Sequence, residues 1–305
     1  MYFENKEITI EVTNRCGAKC TMCPREKMVQ KLDVMSFNLY KKIVLDAFNS
    51  GVNLIDLCGY GDVFLDKGLI EKIKFTKETN PNCKVYISTT GNAMIDKYHT
   101  DILSYVDILK FSIYGLSKSV YEKVMGGIKF EKSYENIISL LKKDTNKIIY
   151  TAGNFILMKE NEHEMKEWIS FWEPKLSEVY VWKPHNYIDG RNYRKIDKNN
   201  QKTCGRPLEG PLNVAVDGKA HVCCYDYNKH MIVGDLKNQN IKEVINSSEM
   251  KYIQDKHKRN DFENLICSDC DQTNLDKNNL IYKSNPNRVV GQSNSSDYIF
   301  KSSIT

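Results

Sequence analysis

Six times in the first 182 residues, a short β-branched run is followed by a stretch of helical period or closes the series. ITIEV (8–12) precedes a helix beginning near Ser36, and NLIDL (53–57) precedes one from about Lys67. KVYIS (84–88) leads to a helix after Asn92, and ILKFSI (108–113) to helices from Ser117 and Ser133. IIYTAGNFIL (148–157) leads into a helix over 162–172, and VYVW (179–182) is the sixth strand. A period that alternates between two and 3.6 in this order calls for an α/β fold with a parallel sheet, because each parallel pair needs a crossover. Right-handed crossovers curve such a sheet toward a barrel, and six units leave it open.

The pattern stops at 194–203 (RKIDKNNQKT), which reads as a linker after a first region of 1–193. NVAV-DG-KAHVC (213–223) is a hairpin signal around Asp217–Gly218, followed by a helix from about Ile241 to His257. Residues 204–272 therefore form a small β-hairpin/α unit. In 273–305, rich in Asn, Ser and Lys, only Leu280, Ile281, Tyr298, Ile299 and Phe300 look packable, so an extended wrap or partial disorder is expected.

Cys16, Cys20 and Cys23 stand just beyond the first strand with C-x3-C-x2-C spacing, and the next cysteine is the distant Cys58. Three thiolates this close can hold three corners of a cubane iron–sulfur cluster and leave one iron open. A zinc knot would want a fourth Cys or His nearby. Cys204, Cys223, Cys267 and Cys270 make a second set, C-x18-C followed by C-x2-C, for which a zinc ribbon is the competing reading. Cys224 is the alternative to Cys223. Cys58 and Cys83 are lone thiols in apolar strands.

Composition narrows the class. The chain of 305 residues has 41% hydrophobic and 27% charged residues, ordinary for a soluble globular protein. Its net charge of +5 comes from dispersed lysines, which argues against a nucleic-acid stripe and permits an anionic substrate. No run approaches 18 apolar residues and no signal-peptide hydrophobic region is present, so a membrane partner is not expected. Ten cysteines without a secretion signal point to a reducing, cytoplasmic setting.

The three-cysteine loop after a strand resembles the radical S-adenosylmethionine (SAM) superfamily, in which the open iron chelates the amino and carboxylate groups of SAM. LCGYGDVFL resembles the family's G-G-E-P segment, with Gly59 and Gly61 close to the SAM amino group and Asp62 in the place of Glu. ISTTGNAM (87–94) resembles the T-N-G turn, which makes Thr89, Thr90 and Asn92 SAM contacts, and SIYG places Ser112 near the ribose. All of these fall at strand carboxyl ends, where parallel α/β folds bind ligands. In VWKPHNYIDGRNYR (181–194), Lys183, His185, Asp189, Arg191 and Arg194 are bunched where a polar substrate would lie.

The second cysteine set, with VCCYDYNKHMIVGDL, resembles the shortened (twitch) form of the SPASM auxiliary-cluster domain. The resemblance implies two [4Fe–4S] clusters, SAM, and an electron donor such as flavodoxin or ferredoxin. It also implies hydrogen abstraction by a 5′-deoxyadenosyl radical. A four-thiolate auxiliary cluster suits electron acceptance, so two-electron oxidation of a hydroxylated, sugar-like small molecule is the leading expectation, as in the radical SAM dehydrogenases of aminocyclitol biosynthesis. The alternatives are modification of a ribosomally made peptide by epimerisation or crosslinking, and a non-catalytic zinc protein. Because the first strand begins near residue 8, the leader-binding domain of many peptide modifiers is not expected here. Candidate catalytic groups are Cys58, His185 and Arg191, with the acid or base left open.

Overall fold

The computed structural model describes residues 6–274 and 279–286. Its parallel strands are β1 (Glu7–Ile10), β2 (Leu54–Leu57), β3 (Lys84–Thr89), β4 (Ile108–Ser112), β5 (Tyr150–Ile156) and β6 (Glu178–Trp182). They are hydrogen-bonded in sequence order, each to the next. Between them run α1 (Phe37–Asn49), α2 (Leu69–Thr79), α3 (His99–Tyr105), α4 (Lys118–Val124), α5 (Phe130–Lys143) and α6 (Met165–Trp172). Ser36 and Ser117 cap α1 and α4 by accepting from the amides of Leu39 and Val120, which is why those helices start where the serines predict. Helix α5 begins ahead of Ser133, which is buried inside its first turns.

The alternation of strand side chains gives the sheet two unlike faces. Ile8, Ile10, Ile55, Leu57, Val85, Ile87, Leu109 and Phe111 are fully buried in one core with Ile43, Ile73, Ile137, Trp168 and Trp172 of the helices. Full burial of each such aliphatic side chain stabilises by about 1.5–3 kcal/mol. That core holds the sheet, so the intervening residues Thr9, Asp56, Lys110 and Asn154 need not be apolar.

Both edges of the open barrel are paired. Strand β7 (Leu212–Val214) runs parallel to β1, Ile8 opposite Leu212, and β8 (Lys219–His221) and β9 (Ile232–Asp235) follow antiparallel. On the far side β10 (Leu280–Lys283) lies antiparallel to β6. The result is one ten-stranded sheet, and the hairpin read from the sequence extends the barrel's own sheet. The barrel strands β1 and β6 are thereby interior, and the sheet's outer edges fall on the short strands β9 and β10.

Two differences from the sequence reading have local causes. The helix expected over 241–257 is two, α8 (Ile241–Ile245) and α9 (Ser248–Lys258), following the short α7 (Arg206–Glu209). The Asn246 side chain donates back to the Lys242 carbonyl, and Ser247 caps α9 from the amide of Met250, so these polar residues stop one helix and start the next. The segment 194–203 carries a single helical turn, Lys198–Asn200, pinned through Asp197. Of the packable tail residues, Leu280 and Ile281 lie in β10, while Tyr298, Ile299 and Phe300 lie outside the described residues. Among the described residues no helix is long and apolar enough to cross a membrane.

Candidate functional site

A cavity of about 400 Å³ opens at the carboxyl ends of the strands and continues onto the polar face of the sheet. Cys16, Cys20 and Cys23 all line it. Their loop is held by backbone-directed bonds: Thr13 Oγ1 donates to the Asp33 carbonyl at 2.9 Å, and Asn14 Nδ2 to the Lys31 carbonyl at 2.9 Å. The Cys23 amide donates to the Cys20 carbonyl at 3.0 Å, and Cys20 pairs with Met125 in a two-residue bridge. Burial, reinforced by the Asp62 charge, pushes the Cys16 thiol up to about 11. Burial also raises Cys20 and Cys23. Three thiols in so dry a site become thiolates only with a positive partner, and a soft metal supplies it.

Gly59 and Gly61 are needed for chain against chain. A Cβ at Gly61 would lie 2.1 Å from the Thr13 carbonyl oxygen, and one at Gly59 would lie 2.5 Å from Glu11 Cγ. The loop after β2 thus packs directly on the cysteine loop, and the Asp62 amide donates to the Arg15 carbonyl at 2.8 Å. Asp62 itself is buried. It accepts from the hydroxyls of Thr89 and Thr90 and from the Thr90 amide at 3.0 Å, tying the β2 and β3 loops together. Thr90, Ser112, Gly59 and Gly61 line the cavity, and Asp62 and Thr89 stand behind its wall. Asn92 points elsewhere, its side-chain amide donating to the Lys129 carbonyl and Ser133 Oγ at the start of α5.

Of the bunched polar residues after β6, only His185 reaches the cavity. Its Nε2 lies 2.8 Å from the Tyr225 hydroxyl and its Nδ1 lies 2.9 Å from Gln272 Nε2. Burial lowers its pKa, which favours the neutral ring. Arg191 pairs with Asp189 at 2.8 Å and donates to the Cys23 carbonyl at 3.0 Å, so this pair buttresses the cysteine loop from outside the cavity wall. Arg194 is bonded to Asp271. Lys183 contributes its backbone amide to the Asn279 carbonyl. The bunching in sequence became structural support because the chain leaves the cavity after Tyr187 and turns to the cysteine loop, through Arg191, and to Asp271, through Arg194.

Cys204, Cys223, Cys267 and Cys270 line a second, smaller and nearly apolar cavity together with Met231 and Ile266. Burial raises the Cys223 and Cys267 thiols and pushes Cys270 up to about 12. Cys224 is exposed and faces the larger cavity, as does Cys58. Among the described residues no three His, Cys, Asp or Glu side chains meet at single-ion distance, so each cysteine set is grouped by the cavity it lines. Arg206, Tyr225 and Gln272 line both cavities and form the partition between them.

The polar face of the sheet went unread in the sequence. Glu7, Thr9, Asp56, Ser88, Lys110 and Asn213 all line the large cavity. Their signal was present: polar residues at every second position of strands whose other positions are Ile, Leu, Val or Phe.

Residues 10–171 match the family model of the Radical SAM superfamily, and residues 204–271 match the SPASM iron–sulfur cluster-binding domain. The chain belongs to the radical SAM superfamily. Its cofactors are accordingly a [4Fe–4S] cluster with SAM, and the SPASM domain implies auxiliary iron–sulfur. Among curated proteins it is 23% identical over 164 residues to a probable GTP 3′,8-cyclase of Saccharolobus islandicus (strain M.14.25 / Kamchatka #1), covering 54% of this chain and 52% of that protein. The corresponding protein of Saccharolobus solfataricus (strain ATCC 35092 / DSM 1617 / JCM 11322 / P2) is 24% identical over 170 residues, with 54% of this chain and 52% of that protein covered. The chain spans about half the length of these relatives. Among solved structures, BtrN in complex with AdoMet and 2-DOIA superposes with TM-score 0.61 at 17% identity, covering 87% of this chain and 92% of that one. SuiB of Streptococcus suis bound to its precursor peptide SuiA gives TM-score 0.69 at 12% identity, covering 90% and 71%. These likenesses establish a shared fold.

Proposed function

We propose that this radical SAM enzyme oxidises a hydroxylated, sugar-like small molecule by two electrons, with the auxiliary cluster as electron acceptor. The observation that carries this reading is the grouping of Cys204, Cys223, Cys267 and Cys270 around one cavity separated from the main cavity by Arg206, Tyr225 and Gln272. Four thiolates complete the ligation of a cubane, which leaves it to take an electron rather than bind substrate. The main cavity has the size of a small-molecule site, and its hydroxyl and amide walls (Thr9, Ser88, Ser112, Asn154, Asn213) suit a polyol.

When bound at Cys16, Cys20 and Cys23, the first cluster and SAM supply a hydrogen-abstracting 5′-deoxyadenosyl radical after one-electron reduction. The chain's residues do the rest. Gly59, Gly61, Thr90 and Ser112 wall the SAM end, and Met22 and Tyr114 help to keep water out. Oxidation of a secondary alcohol removes one hydrogen atom from carbon, one proton from oxygen and one electron. We assign the electron to the four-cysteine site beyond Tyr225 and Gln272, and the proton to a base other than His185, whose two ring nitrogens those residues already hold. Flavodoxin or ferredoxin is the electron donor in this reading.

A second reading, peptide epimerisation, is favoured by one observation: the thiols of Cys58 and Cys224 both face the large cavity, where either could return a hydrogen atom. The test of the main reading is an anaerobic, reductively started assay across hydroxylated small molecules. One deoxyadenosine per molecule of a product lighter by two hydrogen atoms supports it, and deoxyadenosine release with product of unchanged mass would sink it.

A further inference from the structure

Lys229 belongs to the auxiliary unit, yet it lines the large cavity and is only 8% exposed. Its backbone sits in the left-handed region at φ 58°, which is strained for a residue with a side chain, and its amide donates to the Asp226 carbonyl at 3.1 Å. Asp226 closes this turn with its own carboxylate. One oxygen accepts from His230 Nδ1 at 2.8 Å and the other from the Met231 amide at 2.7 Å. The turn thus fixes where the lysine side chain leaves the backbone.

The ammonium lies over the Tyr60 ring, 5.1 Å from the centroid. That ring is itself held, its hydroxyl donating to the Cys224 carbonyl at 2.7 Å and its amide to Glu11 Oε1 at 2.8 Å. A ring face attracts a cation but supplies no lone pair for the three hydrogen bonds an ammonium donates. Among the described residues, Lys229 Nζ makes no hydrogen bond and no ion pair. The other cation of this side, Arg206, stacks on Tyr225 and also lines the four-cysteine cavity, where thiolates answer its charge. His221 lines the large cavity too, and its Nδ1 donates to the Cys223 carbonyl at 3.0 Å, which leaves Nε2 as an acceptor.

We infer that Lys229 receives a carboxylate of the substrate, so the enzyme acts on a hydroxylated acid rather than on a neutral polyol. This rests on the small-molecule reading above and narrows its substrate class. A desolvated ammonium without a counter-charge is costly, and a carboxylate set on it forms a charge-assisted hydrogen bond. The carboxylate of SAM is taken by the open iron, so it does not fill this place. One ammonium matches one negative charge, whereas a phosphate dianion would bring a second to the side where Glu11 holds the Tyr60 amide. His221 Nε2 is left to accept from a hydroxyl of the same molecule.

The test is calorimetric binding of glucuronate, glucose and glucose 6-phosphate to the reconstituted holoenzyme with SAM near neutral pH. Glucuronate should bind roughly tenfold more tightly than glucose. Lys229→Met should erase that preference and Lys229→Arg should keep most of it, with thermal melts confirming that both variants fold. Equal binding of glucuronate and glucose, binding of neither, tighter binding of the phosphate, or a preference that survives Lys229→Met overturns the inference. Oxidation of a neutral polyol without any such preference would leave the dehydrogenase reading standing while removing this one. The preference for glucuronate with a turnover product of unchanged mass would remove the dehydrogenase reading and leave the carboxylate site standing.

Discussion

The guanidinium of Arg206 lies 4.7 Å from the centre of the Tyr225 ring, and both residues are walls of both cavities. Arg206 is buried at 7% exposure, with Nη1 lacking a hydrogen-bond partner. A fixed buried cation beside four thiolates stabilises the added negative charge of a reduced cluster, since the local dielectric is low. Arg206→Met should therefore lower the auxiliary potential, and Arg206→Lys should recover part of the shift. Potentiometric titration followed by electron paramagnetic resonance reads this directly. An unchanged potential in Arg206→Met would show that the cation does not act on the cluster.

The two cysteine sets should separate by metal analysis. Single replacement of Cys16, Cys20 or Cys23 with Ala should abolish reductive SAM cleavage, because the loop offers three thiols and each holds one corner. Replacement of Cys204, Cys223, Cys267 or Cys270 should drop iron toward half and lower stability, since metal that binds only the folded chain stabilises it. Cys224→Ala should keep full iron, because that thiol faces the other cavity. Full iron in Cys223→Ala would reassign the ligand.

Gly61→Ala should damage the first site through packing alone. The added methyl would meet the Thr13 carbonyl at 2.1 Å, and backbone rather than a flexible side chain must yield. A loss of about 1–3 kcal/mol is expected, with iron lost from the first cluster ahead of the second. Chemical denaturation with Mössbauer or iron counting checks it, and a fully loaded first cluster at wild-type stability would refute it.

How much of this was legible in the sequence depended on whether a residue's role is local. Ser36 and Ser117 marked helix starts because a cap is made within three residues. The cysteine triplet was readable for the same reason. The Asp62 contacts with Thr89 and Thr90 span 27 and 28 residues, and the Arg194 bonds to Asp271 span 77, so spacing alone could not foretell them. The polar face of the sheet is a further case: Glu7 and Asp56 come from different strands and reach one cavity only through the register that sets Thr9 opposite Asp56.

Acid should loosen the auxiliary unit through His257. This ring is fully buried and bonded through Nδ1 to Thr203 Oγ1 at 2.9 Å, next to Cys204 of the second cavity. Burial lowers its pKa from 6.5 to about 4. The unfolded chain therefore takes up the proton first as pH falls. The stability His257 contributes is complete above pH 6.5 and is lost progressively between 6.5 and 4. Between about pH 7.5 and about pH 5.5 that amounts to about 1.4 kcal/mol. His257→Gln, which keeps a partner for Thr203 without titrating, should flatten the slope in urea melts. An equally steep slope in the variant would assign the acid sensitivity to other groups.

Cys58 and Cys224 decide between oxidation and epimerisation. Both thiols face the large cavity, and burial, with the Asp56 charge, pushes Cys58 up to about 12, which keeps its S–H intact at neutral pH. An intact S–H is the form that donates a hydrogen atom to a carbon radical, so either residue is chemically competent. The dehydrogenase reading predicts no solvent hydrogen at the reacting carbon and full product yield from Cys58→Ser and Cys224→Ser. It expects instead that Cys267→Ala stops oxidation while SAM cleavage persists, because the electron then has no acceptor. Turnover in deuterated water, followed by mass spectrometry of the product, separates the outcomes. Deuterium at that carbon in the wild type, lost together with product in one serine variant, would make that thiol the donor and the reaction an epimerisation.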